Sequence, residues 1–573
     1  MENEFFYTYC YLTGDAVFVQ GYKNGQRIKY LIGDWGQNSK SCFLNSRLDA
    51  IKSKYKRLAN YKDKIYITRE YYNKYYGMLN AIFSDTGQVH THYNEGMKFP
   101  IRYKFTQPMY INRDCDKTDI FGNPMVEIVY NMSDIRKLVM WANDNKMDLY
   151  NNIDGNVKLM DEWASKDNYH IDYNKIKIGF LDIETEMEHG QMDMVNFPER
   201  INVITLKIKK GKIYTFCLGE FKTDDTNVEV YQCVNEKQLL RCFLDKWEEL
   251  DLDVISDWNG RAFDIPYIFG RCCKILGENE ACRLSPFGLI EKRERTNSFG
   301  KKYDEYKIIG INHLDYMELY VNYSHTPQSS YSLNNICNYE LGKGKLDYSE
   351  YGSLHKLYLN NFQKFVDYNV RDVTLLEDLD DKLQMIHLAM SIAYMCRCCF
   401  EDVYSQIRIW DSFIYSDFMK KNKVLPPKKD ISDEQRGSLM GGYVKLPKKA
   451  GVFSNIVSFD VNSLYPTIIR QLNLSPDTMT DEVDERFKTL YPPNEDDLHS
   501  LRGFINCEVD CSKAKEMGMV YTCNGNFVKK DKQGFLPKMV GDLYNNRVEV
   551  KKKLKKSKQE LELVKKELEK RGE

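Results

Sequence analysis

Ile176-Lys177-Ile178-Gly179-Phe180-Leu181-Asp182-Ile183-Glu184 is an apolar run that ends in two carboxylates one residue apart. Its apolar composition predicts a β-strand. Side chains alternate faces along a strand, so Asp182 and Glu184 point the same way. Two carboxylates on one buried edge repel each other unless a cation lies between them. Taken alone, such a pair also fits an ordinary structural role.

Two further stretches supply more carboxylates. Asp257-Trp258-Asn259-Gly260-Arg261-Ala262-Phe263-Asp264-Ile265-Pro266 follows an apolar strand (Leu252–Ser256) and opens a helix over Tyr267–Leu276. A carboxylate at a strand-to-helix turn reaches a cleft at the edge of a sheet, although Asp264 would also serve as a simple helix cap with Pro266 just inside it. In Tyr368-Asn369-Val370-Arg371-Asp372 the apolar stripe is Val366, Val370, Val373 and Leu376. Tyr368 and Asp372 stand at i and i+4 on another face, where both can contact one reacting water; a surface aromatic is the plain alternative for Tyr368. The four carboxylates Asp182, Glu184, Asp264 and Asp372 are enough to hold two divalent ions about 4 Å apart. Hard cations with oxygen ligands imply Mg²⁺ or Mn²⁺.

The order DIE, NxxxFD, YxxxD resembles the three exonuclease motifs of the proofreading domain of family B DNA polymerases. That resemblance implies a ribonuclease H-like domain with a mixed five-stranded sheet and a 3′→5′ exonuclease. It makes Asp182, Glu184, Asp264 and Asp372 metal ligands, gives Tyr368 the attacking water, and has Asn259 and Phe263 hold the frayed 3′ end of DNA. Arg293–Tyr306, with Asn297-Ser298-Phe299-Gly300 at its tip, is similar to the β-hairpin that helps T-even phage polymerases separate a primer end.

Farther on, Asp460-Val461-Asn462-Ser463-Leu464-Tyr465-Pro466-Thr467 resembles motif A of the same family, with Thr467 in place of the usual serine. A strand Asn455–Phe459 is expected to deliver Asp460 to a metal. The resemblance places Val461, Ser463 and Leu464 near a deoxynucleoside triphosphate and Tyr465 beneath its sugar, and it assigns Arg547 to the triphosphate. Gln406–Asp411, Ile469–Pro476 and Gly534–Pro537 extend the likeness to the T-even type. The last 40 residues read as one charged helix, with 11 basic and 5 acidic residues between Arg547 and Arg571. It is either the first fingers helix or a coiled helix, since Val550, Leu554, Leu561, Val564 and Leu568 approximate a heptad. The family's Lys-x-x-x-Asn-Ser-x-Tyr-Gly helix and its Asp-Thr-Asp strand are not found in the 573 residues. The expectation is therefore the N-terminal portion or one subunit of a polymerase truncated or split before those motifs, with a second chain completing palm, fingers and thumb and offering a sliding-clamp contact. A stand-alone exonuclease and a non-catalytic nucleic-acid-binding chain are the rivals.

The sequence as a whole sets broad bounds. At ~150 residues per domain the length allows roughly four. The expected division is an N-terminal α+β domain (1–172, with a return segment at about 386–430), an exonuclease domain (173–385), a partial palm (431–533) and a fingers helix (534–573). The fold class is thus α/β and α+β, multidomain. With 42% hydrophobic and 29% charged residues, the composition is that of an ordinary globular protein. A formal net charge of −1 does not announce a nucleic-acid binder, yet a local basic surface beside an acidic cleft also sums to zero. The sixteen cysteines form no paired knuckles. Cys396, Cys398 and Cys399 are read as buried apolar thiols in preference to a zinc site. No apolar run spans a membrane and no signal peptide opens the chain, so a host cytoplasmic location is expected.

Overall fold

The computed structural model describes residues 5–13, 16–33, 106–112, 117–123, 125–131, 150–151, 153–154, 156–157, 160–161, 171–188, 193–296, 300, 302–324, 326–426, 449–461, 463–480, 509–522 and 526–571. Ser133–Asn145, whose Ser133-Asp134 cap signal predicts a helix, and Gly441-Gly442, which reads as a domain boundary, lie outside them. Two compact units emerge, residues 1–117 with 124–428, and 118–123 with 429–573.

The first unit is organised by a six-stranded mixed sheet. Its strands are β6 (Ile178–Thr185), β7 (Ile201–Ile208), β8 (Ile213–Cys217), β9 (Val228–Gln232), β10 (Val254–Ser256) and β13 (Asn312–His313), in the order β13-β10-β6-β7-β8-β9. The expected sheet had five strands. The difference arises because β9 adds parallel to β8, which would otherwise be an open edge of unpaired backbone. β6 pairs parallel with β10 and antiparallel with β7. It sits mid-sheet and is covered on both faces, which is why its sequence is apolar at nearly every position instead of alternating.

The two covers differ. Leu181 and Ile183 join a core with helices Glu236–Leu250 and Asp264–Ile275, through Leu239, Leu240, Phe243, Leu244, Ile265 and Ile268. Phe180 faces the opposite way, into a core with helix Phe362–Leu383 (Val373, Leu376, Leu379). By alternation Asp182 and Glu184 share the face of Phe180. Helix Phe362–Leu383 is anchored there by ion pairs Lys207–Glu377 (2.8 Å) and Lys209–Asp380.

Smaller sheets surround this core. β1 (Phe5–Thr13), β2 (Ala16–Lys23) and β3 (Gln26–Gly33) form an antiparallel meander, β4 (Thr106–Asn112) pairs with β5 (Met125–Asn131), and β11 (Ile290–Thr296) with β12 (Lys302–Ile308). The β11–β12 hairpin brackets the one read from sequence; residues 297–299 of its tip are outside the described set. Cys396 and Cys398 are buried in the core that the β6 face shares with helix Met385–Cys396, and every described cysteine is a free thiol. No described helix is long and apolar enough to cross a membrane.

In the second unit β14 (Met479–Thr480), β16 (Phe527–Lys529) and β15 (Met519–Tyr521) make a small sheet beside helices Leu464–Leu472 and Phe535–Arg571. The Asn-Leu-Ser-Pro-Asp loop after the first helix caps the second. Asn473 Oδ1 accepts from Gly534 N at 2.9 Å, Asp477 Oδ1 from Phe535 N at 3.3 Å and Ser475 Oγ from Leu536 N at 3.3 Å. The expected strand Asn455–Phe459 is not formed: 455–461 is irregular, and Ile456, Val457 and Phe459 are 72%, 73% and 93% exposed. A strand needs a neighbour for its backbone groups and cover for its apolar face, and no described strand pairs with this segment.

Asp253, fully buried, ties the N-terminal meander to the central sheet. It accepts from Thr8 Oγ1 (2.8 Å), Gln20 Nε2 (3.2 Å), Tyr22 OH (2.8 Å), Arg27 Nη1 (2.8 Å) and Lys177 N (3.0 Å). Asp253→Ala leaves the buried Arg27 guanidinium with Asp251 and takes the acceptor from the Thr8, Gln20 and Tyr22 donors, and should destabilise the protein by roughly 1–3 kcal/mol. Chemical denaturation checks this, and a loss below ~1 kcal/mol would remove Asp253 from that role.

Candidate active site

Alternation along β6 and the 3.6-residue period of helix Phe362–Leu383 bring three carboxylates together. Ligand oxygens of Asp182, Glu184 and Asp372 all lie within 4.8 Å of one another. Glu184 and Asp372 are buried and Asp182 is partly exposed. Asn369, one turn from Asp372 and buried, donates from Nδ2 to Asp182 Oδ2 at 2.6 Å and so fixes that carboxylate.

Asp264 arrives from the other side of the sheet. It is the first residue of its helix, and its Oδ1 accepts from Ile183 N at 3.2 Å, between the two carboxylates of β6. It lies outside the tight trio, though close enough to raise the pKa of Asp182. The preceding turn is compact. Asn259 is left-handed (φ 68°), and a Cβ on Gly260 would fall 2.0 Å from Asp257 Cγ, so only glycine fits there. Phe263 is half-buried and its ring stacks on Tyr267 (centroids 6.1 Å apart).

One cation already faces the acids. Lys345 Nζ contacts Asp372 Oδ2 at 2.5 Å, donates to Tyr368 OH at 3.0 Å, and lies 4.9 Å from the centre of the Tyr368 ring. Burial disfavours its charge, but Asp372 and Asp182 outweigh burial and hold the ammonium above its ordinary range. Burial, then the charge of Asp372, raises the Tyr368 phenol, which stays neutral. Since that phenol accepts from Lys345, its own proton is free to be donated.

Burial and mutual repulsion raise the carboxyls. Asp182 is pushed well up by burial, then by Asp372 and Asp264; Glu184 by burial, then by Asp182 and Asp372. Burial lifts Asp372 to about 6 while Lys345 works against it. Asp372 Oδ1 is buried with no hydrogen-bond partner among the described residues. A cluster of hard oxygen donors with an orphaned buried oxygen and excess negative charge fits a divalent cation. Asp182, Asn259, Lys345 and Tyr368 open into a cavity of about 1040 Å³, whose wall also includes Trp258, Tyr331, Ser332, Asn334 and Tyr348.

Comparison with known proteins identifies the family. The model of the DNA polymerase family B exonuclease domain matches residues 133–336, and that of DNA polymerase family B matches 397–571. The chain belongs to the family B DNA polymerases. It is 29% identical over 462 residues to the DNA-directed DNA polymerase of Escherichia phage RB69, covering 75% of this chain and 48% of that relative. With the Enterobacteria phage T4 enzyme it shares 32% over 334 residues, 58% of this chain and 34% of the relative. A Thermococcus litoralis DNA polymerase is 26% identical over 401 residues, 66% of this chain and 20% of that protein. The chain thus spans about half or less of the length of these relatives.

The family's second motif region is more open here. Asp460, Val461, Leu464 and Tyr465 are exposed. Ser463 takes a left-handed turn (φ 51°) into helix Leu464–Leu472, and Arg547 Nη1 donates to Ser463 Oγ at 3.4 Å from the long helix. Arg470 stacks over Tyr544 at 5.1 Å, holding the same two helices together. Asp460 joins no acidic cluster among the described residues.

Sequence reasoning missed Lys345 and Asn369. Asn369 lies inside the quoted Tyr368–Asp372 stretch, so its helical phase was the available signal. Lys345 follows the helix that ends at Gly342, in a loop with no periodicity to mark it.

The raised carboxyl values fix a pH dependence. A carboxyl whose folded value is raised contributes stability below the ordinary carboxylate range, and that contribution is lost as pH rises through the folded value, about 6 for Asp372. Chelated protein should therefore lose thermal stability across that window, and a saturating divalent cation should oppose the loss. Asp372→Asn should flatten the profile; identical profiles for variant and wild type would show that the buried Asp372 carboxyl does not contribute.

Proposed function

We propose that this chain is a 3′→5′ proofreading exonuclease within a family B replicative DNA polymerase. The observation that carries the reading is the carboxylate trio Asp182, Glu184 and Asp372, faced by Lys345 and Tyr368 and open to a polar and aromatic cavity. The strand order β13-β10-β6-β7-β8, with β9 as an addition, supports a ribonuclease H-like domain.

Asp182, Glu184, Asp264 and Asp372 would hold Mg²⁺ or Mn²⁺. When bound, two such ions activate water and stabilise charge on the phosphorus and the leaving 3′ oxygen. Asn369 keeps Asp182 in one orientation. The neutral Tyr368 phenol, held by Lys345, offers its proton to the attacking water or a phosphoryl oxygen. Lys345 can also stabilise negative charge developing on that phosphate. The cavity takes the single-stranded 3′ end, with Asn259 on its wall and Phe263 behind the turn; Trp258 and Tyr331 give aromatic surfaces on which bases stack.

In the second unit, Asp460 is read as one palm carboxylate, with Val461, Ser463, Leu464, Tyr465 and Arg547 around the deoxynucleoside triphosphate. The proximity of Arg547 to Ser463 supports that grouping. Primer extension then needs a further palm carboxylate from residues outside these 573, for which a second chain is the proposed source. A mixture of the two chains should extend a primer that neither extends alone.

With Mg²⁺, the protein should shorten 3′-labelled single-stranded DNA, and Asp182→Ala should reduce this to background. Lys345→Ala, losing one preorganised cationic donor, should cost about 10²–10³-fold in single-turnover rate. Equal digestion by wild type and Asp182→Ala would sink the exonuclease assignment.

A further inference from the structure

Behind the turn that carries Asn259 and Asp264 lies a buried ionic network not used by the chemistry above. Asp315 is the N-cap of helix Tyr316–Tyr323, its Oδ1 accepting from Glu318 N at 3.2 Å. The same oxygen accepts from Asn259 N at 3.2 Å, and Oδ2 accepts from Arg261 N at 3.3 Å. Asp257, on the other flank, accepts from Gly260 N at 3.0 Å through Oδ1, and its Oδ2 lies 2.6 Å from His313 Nε2. The Arg261 guanidinium is buried, paired with Glu305 and with Glu318 (3.1 Å), and stacked 4.6 Å from the Tyr404 ring. Tyr404 OH in turn donates to Asp315 O at 3.0 Å. Three consecutive backbone N–H groups, of Asn259, Gly260 and Arg261, therefore end on two buried carboxylates.

A helix cap needs only one of the Asp315 oxygens. The second is spent on a loop 54 residues away in sequence, at a point where Asn259 is left-handed. The turn leads directly to Phe263 and Asp264, whose carboxylate docks on Ile183 N. We propose that Asp315 is a positioning residue of the exonuclease site, gripping the Asn259–Arg261 backbone so that Asn259 meets the DNA 3′ end and Asp264 meets the metal-binding carboxylates. This rests on the exonuclease reading. Asp315 acts through the turn; it lines neither the cavity nor the carboxylate trio.

Asp315→Asn separates its two tasks. Asparagine caps helices as well as aspartate does, so the bond from Glu318 N survives. Its amide nitrogen, however, would face the Arg261 N–H, donor against donor. Supporting groups of this kind typically matter about 10–100-fold in metal affinity or activity. The test is Mg²⁺-dependent single-turnover excision of a labelled single strand by the full chain, with folded fraction followed by circular dichroism. Asn235→Ala serves as the control, since Asn235 caps helix Glu236–Leu250 (from Gln238 N, 3.0 Å) away from the site. The expected result for Asp315→Asn is excision lowered by about 10–100-fold, with a higher Mg²⁺ concentration for half-maximal rate. Asn235→Ala should leave that Mg²⁺ midpoint unmoved. Full excision by Asp315→Asn beside a dead Asp182→Ala would overturn the inference, as would a loss matching only the unfolded fraction. Activity of Asp182→Ala itself would overturn the underlying exonuclease reading instead.

Discussion

Like-charge repulsion at the middle of a covered sheet is the constraint on which the first unit depends. At ~5 Å and an effective dielectric of about 20, each pair among Asp182, Glu184 and Asp372 costs roughly 3 kcal/mol when both are ionised. No exposed loop would keep three such groups together; they would swing apart into water. Here Asp182 and Glu184 are fixed by a strand paired on both sides, and Asp372 by a helix that buries Val373, Leu376 and Leu379 against that strand's face. The apolar burial of β6 therefore supplies the rigidity, and the carboxylates use it. Lys345 neutralises only part of the charge.

The same rule governs the buried charges elsewhere. Arg271 is held by Glu236, which also accepts from Ile201 N at 3.0 Å, so a helix pair and the start of β7 are locked by one carboxylate. Arg27 is held by Asp253 and Asp251. Arg261 is held by Glu305 and Glu318. In each case the carboxylate has further donors, so the desolvated ions are paired and hydrogen-bonded together. These clusters sit where secondary elements meet: meander to sheet, helix to β7, turn to hairpin. Their directionality specifies geometry that non-directional apolar contacts leave open, and the turn bearing Asn259 and Asp264 has such a cluster behind it.

What the sequence disclosed follows from how each signal is encoded. β6 was legible because burial on both faces writes itself into an unbroken apolar run, and the long terminal helix because of its charged helix-forming composition. Asp182 and Glu184 were legible as a same-face pair from strand alternation, while the expectation that Asp372 joins them rested on the order of the three motifs. Lys345 was not legible, since its meaning comes from a tertiary contact 27 residues away in the chain. The sixth strand was missed because β9 is an edge strand of only partly buried residues, with no strong apolar pattern. Asn455–Phe459 failed in the opposite sense: its pattern is that of a strand, but a pattern states only which partners a segment could accept.

That last segment sharpens the contrast between the two acidic centres. Asp182 has Asn369 to orient it, neighbours on both sides of its strand, and a cation two contacts away. Asp460 follows exposed apolar residues on irregular backbone, and among the described residues its surroundings organise from Ser463 onward, where a left-handed turn leads into helix Leu464–Leu472 and Arg547 donates to Ser463. Catalysis by metal ions depends on ligands fixed before the substrate arrives. A carboxylate acquires that fixity from paired strands and burial, never from its own identity. The trio Asp182, Glu184 and Asp372 has both; at Asp460 the strand pattern shows which kind of neighbour would supply them, one that pairs with 455–459 and covers Ile456, Val457 and Phe459.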